Sequence, residues 1–180
     1  MRPATVGCLV ETMSLYFDYT LKLISYHELP RDISPDKLQA GSICAALSED
    51  SVLFLMTEGE FYAFQQGEQI YEHGAKTDGF FILCDGIVDL YKKHNEGICH
   101  IRSVENGEEF GFVAMISLVP RIANSFARDD CILLKIPTPL FHQLHQRYPF
   151  DFGLMTLNLS RDMARTINKV SDTLVDVIYD

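Results

Sequence analysis

The residue with the most chemistry to offer is Arg121, set in Leu118-Val119-Pro120-Arg121-Ile122-Ala123, a stretch with no other charge. A guanidinium among apolar neighbours presents a planar fork of donors that matches a phosphate or a carboxylate. Shortly before it runs Gly107-Glu108-Glu109-Phe110-Gly111-Phe112-Val113-Ala114-Met115. Gly111 lets the backbone come close to a bound group, and the residues after it can turn helically and aim N–H groups outward. Together the two segments describe a small-anion site. The same residues allow a second arrangement, in which Arg121 pairs with Glu108 or Glu109 and holds no ligand. Residue types alone leave both open.

Other reactive side chains do not assemble into a site. His142 and His145 stand three apart on a helical stretch, but no carboxylate or third histidine sits at a matching position for a metal. His73, His94 and His100 are scattered, and no H-x-H pair, Ser-His-Asp order, nucleophile elbow or phosphate-gripping Walker loop is present. The expectation is therefore a binding protein, not an enzyme, with no catalytic residue, no metal and no obligatory cofactor. The five cysteines (Cys8, Cys44, Cys84, Cys99 and Cys131) are odd in number and lack C-x-x-C spacing, so they read as reduced and mostly buried. A net charge of −10 argues against nucleic acid as a partner, and Lys92-Lys93-His94, the one basic run, suits a solvated hairpin tip. No apolar run approaches the ~20 residues of a membrane helix. The first residues lack a secretory pattern, which points to a cytoplasmic protein.

The elements that must position Arg121 can be read in outline. Leu9, Met13, Tyr16, Phe17, Leu21 and Ile24 recur at helical spacing and predict a helix over 8–27. Pro30 and Pro35 interrupt the chain; a second helix is expected over about 35–46 and a third from Ser48. Short β-rich runs follow at 61–65, 69–71, 80–84, 87–91, 98–104, 122–128 and 131–136. They are separated by Gln66-Gly67, His73-Gly74, Asp85-Gly86, Asn95-Glu96-Gly97, Asn106-Gly107 and Asp129-Asp130. Asp-Gly and Asn-Gly tolerate the positive φ that tight turns need, and many short strands at this spacing make a sandwich or barrel. Pro139 opens a short helix to Arg147, and a long helix runs from about 152 to 179. Along it Met163, Ile167, Val170, Leu174 and Val177 repeat at 4, 3, 4, 3, the rhythm of a coiled-coil seam, flanked by charges. That stripe suits dimerisation; the alternative is a helix laid on its own barrel.

With those elements in place, Phe64 to Ile70, Gly74 to Val88, Phe110 to Met115 and Pro120 to Ala123 resemble, in order and spacing, motifs of the cyclic nucleotide-binding domain family. That family includes catabolite activator proteins, protein kinase A regulatory subunits and gated channels. The resemblance covers about half the chain. It implies a mainly β fold with flanking helices: an eight-stranded double-stranded β-helix (jelly-roll) barrel over 47–147 with an embedded short helix. An N-terminal helical extension (1–46) precedes the barrel and a C-terminal dimerisation helix (148–180) follows it. It also implies a ligand site. The family's phosphate-clamping arginine falls on Arg121. Gly111 begins the turn, and Val113 and Ala114 supply amides. Ile122 stands where a hydroxyl residue is common, so that contact is absent, and Ala123 closes the motif. The family's glutamate, which accepts the ribose 2′-hydroxyl, is replaced by Phe112. Losing a charged acceptor costs roughly 1.5–3 kcal/mol, about 10- to 100-fold in affinity.

The function implied is a stand-alone regulatory module that binds a small anion, cyclic AMP or cyclic GMP by family. Phe112 leaves open a weaker or altered pose, another anion, or no ligand. The alternative is a degenerate barrel kept for dimerisation or protein docking. The family's transcription factors continue into a helix-turn-helix domain, whereas this sequence runs only to Asp180. Direct DNA reading is therefore not expected, and output would pass to a protein partner or through a homodimer.

Overall fold

The structure is a computed structural model and describes residues 22–94 and 97–179. Two antiparallel sheets face one another. One has the order β1-β2-β9-β4-β7 (Lys22–Ile24, Glu60–Phe64, Cys131–Pro137, Gly79–Asp85 and Glu109–Phe110). The other has the order β3-β8-β5-β6 (Gln69–Tyr71, Asn124–Ala127, Val88–His94 and Gly97–Val104). Strands β2 to β9 supply the eight expected, and β1 adds a ninth at one edge.

Side chains alternate across a strand, so β4, buried on both faces, serves two cores. Phe81 and Leu83 point between the sheets, with Phe64, Val88, Val104, Phe110 and Leu133. Phe80, Ile82 and Cys84 point the other way, to helices α2 (Glu49–Glu58), α4 (Thr138–Arg147) and α5 (Pro149–Tyr179). That second core holds Val52, Leu55, Leu140, Phe141, Leu144, Met155 and Leu159. The expected mainly β fold with flanking helices is therefore what is found.

Several local expectations are corrected. Of the predicted helix over 8–27, residues to 21 lie outside the described part. Lys22–Ile24 instead form β1, pairing antiparallel with Phe61–Ala63. Helix α1 (Pro35–Ala40) opens on the Ser34 cap and ends well short of 46, because Gly41 lies against Gly107; a Cβ built on Gly41 would fall 2.5 Å from the Gly107 Cα. Helix α2 starts as expected, the Ser48 hydroxyl accepting from the Ser51 N–H. The run from 122 begins as a strand only at Asn124, since the Arg121 N–H and C=O are committed to Ala75 and Gly74.

Helix α5 has two halves. Its base lies on the barrel through Met155 and Leu159 and through polar ties to residues 42–48. The Ser48 N–H and hydroxyl both reach Asp151 at 2.8 Å, the Asn158 amide reaches Ala45 O at 2.9 Å, and the Ser42 hydroxyl reaches Asp162 at 2.9 Å. Residues 151, 158 and 162 share one helix face. Beyond this base Ile167, Val170 and Leu174 are exposed.

Candidate functional site

Gly111 is the pivot of the site. It ends β7 in the left-handed region (φ 86°) and caps α3 (Phe112–Ile116). A Cβ here would fall 2.3 Å from Arg121 Nη1, so only glycine fits. Arg121 arrives from the loop before β8 and donates from Nη1 to the Gly111 carbonyl at 3.0 Å. Its guanidinium lies 4.5 Å from the Tyr71 ring centroid and 5.5 Å from that of Phe81, with only 3% of the side chain exposed. Burial presses its pKa below the ordinary arginine value. The carboxylate nearest to it is Asp78 at 3.9 Å. Glu108 and Glu109, the partners weighed from the sequence, do not pair with it: Glu108 faces Arg102 at 3.5 Å.

Tyr71 is a residue the sequence did not single out. Strict alternation would send it to the opposite face from Ile70. The register shift between Gln69 and Tyr71 re-aims the ring inward, against Phe81 and Phe110 at 6.2 and 5.9 Å. Burial pushes its hydroxyl pKa up to about 12, so it stays neutral beneath Arg121.

The remaining expected site residues divide. Val113 and Ile122 are exposed, 40% and 42%, while Ala114 and Ala123 are buried. The first-turn amides of Val113 and Ala114 have no partner within so short a helix. Phe112 was expected in the ligand site, yet its ring is 1% exposed and belongs to the helix-side core. It meets Phe80 edge-on at 5.4 Å and Phe141 at 6.0 Å, and Phe141 in turn meets Phe152 of α5 at 4.9 Å. Phe112 thus ties the start of α3 to α4 and, through Phe141, to α5. Nothing in its residue type or spacing separated that role from a pocket contact.

Glu109 also faces the helix side, since its neighbour Phe110 points between the sheets. It is 6% exposed and accepts from the Phe112 N–H at 3.3 Å. Burial raises its pKa to about 7, against the pull of Arg102 and the Phe112 N–H and with the push of Asp162 and Glu108.

Elsewhere, Asp89 accepts from Arg128 Nε at 2.7 Å and Ser103 Oγ at 2.8 Å, and lies 3.1 Å from His100 Nε2. Ser103 meets the same ring nitrogen, so no serine–histidine–aspartate relay forms. His142 and His145 are both exposed, and His145 packs on Phe152. Cys44, Cys84 and Cys131 are buried and free, with burial pushing their pKa values up to about 12, 12 and 11. Among the described residues no helix is long and apolar enough to cross a membrane.

An αL glycine opening a short helix, with a buried arginine returning to its carbonyl, sits at the centre of residues 61–148, which match the family described as "Cyclic nucleotide-binding domain". Residues 61–148 belong to that family. The cyclic nucleotide-binding-like domain is similar over 107 residues, at 26% identity, to a cGMP-dependent protein kinase of Toxoplasma gondii, covering 58% of this chain and 10% of that protein. A cAMP-dependent protein kinase regulatory subunit of Aspergillus fumigatus is 31% identical over 81 residues, 45% of this chain and 19% of its own. The chain thus spans a small fraction of these curated relatives. Among solved structures, a cyclic nucleotide-binding domain from Methylobacillus flagellatus shares the fold with a TM-score of 0.70 at 20% identity, over 81% of this chain and 82% of that one.

Proposed function

We propose that this protein is a regulatory ligand-sensing module in which Gly111 to Ala114 and Arg121 form a cassette that takes a small anion, with a cyclic nucleotide as the nearest family ligand. The observation that carries this reading is Arg121. A guanidinium buried to 3% exposure, with no carboxylate nearer than 3.9 Å, carries a desolvation cost that no tight ion pair offsets. An anion at the fork would supply the missing counter-charge, with the amides of Val113 and Ala114 beside it and Gly111 leaving room for the backbone to close in. Ile122 and Ala123 add only apolar contact. In this reading Tyr71 and Phe81 hold the arginine, and the bound anion exchanges with the Gly111 carbonyl. Calorimetry with cyclic AMP and cyclic GMP tests it. Binding is expected in the wild-type protein, with a loss of roughly 3 kcal/mol or more, over 100-fold, in Arg121→Ala. Failure of both nucleotides to bind at millimolar concentration would sink the nucleotide reading.

A second reading, an interaction module without nucleotide binding, rests on the outer half of α5. Ile167, Val170 and Leu174 are 64%, 58% and 57% exposed on the predicted seam, while Met163 packs towards the barrel. The seam favours a homodimer, and the two readings are compatible. Leu174→Asp is expected to weaken self-association by over 100-fold. It removes one apolar side chain per chain, worth about 1.5–3 kcal/mol each. Sedimentation equilibrium decides: a wild-type protein that stays monomeric at high concentration removes the dimer from both readings.

A further inference from the structure

Glu109 is used by neither reading. Strand β7 sends Phe110 between the sheets and Glu109 to the other face, where it is 6% exposed beside the start of α3. The titratable groups that act with its carboxylate are Arg102 from β6, Glu108 from the turn before β7, Asp162 from α5 and the Tyr71 hydroxyl from β3, which stays neutral. Arg102 does not form an ion pair with it. Its Nη2 donates to the Glu109 backbone carbonyl at 2.7 Å and its Nη1 faces Glu108 at 3.5 Å. The carboxylate keeps one long hydrogen bond, from the Phe112 N–H at 3.3 Å. In its ionised form it carries a burial cost, with Asp162 and Glu108 repelling it and Arg102 attracting it, and in its neutral form that cost is gone. Through the Phe112 N–H it is joined to a ring that packs on Phe141, which in turn packs on Phe152 of α5.

Asp162 is not free to turn away. It accepts from the Ser42 hydroxyl at 2.9 Å and from Arg165. The same face of α5 carries the Asp151 and Asn158 ties to residues 42–48. A charge appearing on Glu109 therefore acts on a joint that α3, α5 and residues 42–48 share.

We propose that Glu109 is a proton-controlled joint between the cassette and α5, which loosens the docked base of α5 when it ionises. The sign follows from the shift. The docked carboxyl titrates at about 7, above its ordinary value of 4.5, so the docked state holds the extra proton. Docking is firm below that pH and weakens as pH rises through it. If opening restores an ordinary carboxyl, linkage raises the opening constant about tenfold between pH 6 and pH 8.

Hydrogen exchange with mass spectrometry on the full chain, corrected for intrinsic rates, reads this opening in residues 42–48 and 149–162. The wild-type opening constant is expected to rise about tenfold from pH 6 to pH 8. Glu109→Gln keeps an acceptor for the Phe112 N–H and cannot ionise, so its ratio is expected near one. Asp162→Asn keeps an acceptor for Ser42, removes one repelling charge and is expected to lower the ratio. A merely structural role for Glu109 would shift both pH values alike and leave the ratio intact. A flat wild-type profile, or an unchanged ratio in either variant, overturns the proposal.

Discussion

Truncating Phe112 to alanine is expected to destabilise the domain by about 3–5 kcal/mol, the range for a fully buried phenylalanine whose cavity cannot collapse. The ring is enclosed by Phe80 and Phe141, both themselves buried, so little can move into the void. Phe112→Leu refills most of the volume and is expected to cost less than half as much. Glutamate at this position, the family's own residue, is expected to cost at least as much as alanine, because it would carry an unpaired charge into the same apolar space. Urea unfolding of the three variants measures this. A loss under about 1 kcal/mol for alanine would show that the ring is not held in the core. A double-mutant cycle with Phe152→Ala adds the second point. Phe112 and Phe152 each meet Phe141, so a coupling above about 0.5 kcal/mol would mark a packed chain from the start of α3 to the C-terminal helix.

Removing the ribose 2′-hydroxyl from a cyclic nucleotide is expected to change its affinity for this protein by less than about twofold. In the cyclic nucleotide-binding domain family a glutamate accepts that hydroxyl, and its loss is worth roughly 1.5–3 kcal/mol, or 10- to 100-fold. Here the corresponding residue is Phe112, and its side chain lies on the far side of the cassette from Arg121, in the core that packs on α4 and α5. Glu109, the nearby carboxylate, accepts from the Phe112 N–H and does not pair with Arg121. Calorimetric titration with cyclic AMP and its 2′-deoxy analogue compares the two directly. A preference of tenfold or more for the ribonucleotide would mean that another group takes over the acceptor role.

Strand content was legible because short β-rich runs, those of β4 and β9 among them, are punctuated by turn residues such as Asp-Gly and Asn-Gly. Helix α2 was legible from Ser48, whose cap is a local hydrogen bond. What escaped the sequence was non-local. Lys22–Ile24 is a strand only because the edge at Phe61–Ala63 is there to pair with it, and no local periodicity encodes a partner so far along the chain. Helix α1 stops where Gly41 meets Gly107 across the fold.

The candidate site divides in the same way. Residue type and spacing were enough to single out Gly111 and Arg121: a left-handed backbone position demands glycine, and a guanidinium in an apolar stretch demands a counter-charge or a ligand. Tertiary structure decided what surrounds them. A β-bulge turns Tyr71 under the guanidinium, β7 buries Glu109 beside the Phe112 N–H, and the gap between Phe80 and Phe141 takes the Phe112 ring. Which face a side chain chooses depends on the free energy of the spaces on either side of it, and those spaces exist only once the sheets and helices have packed.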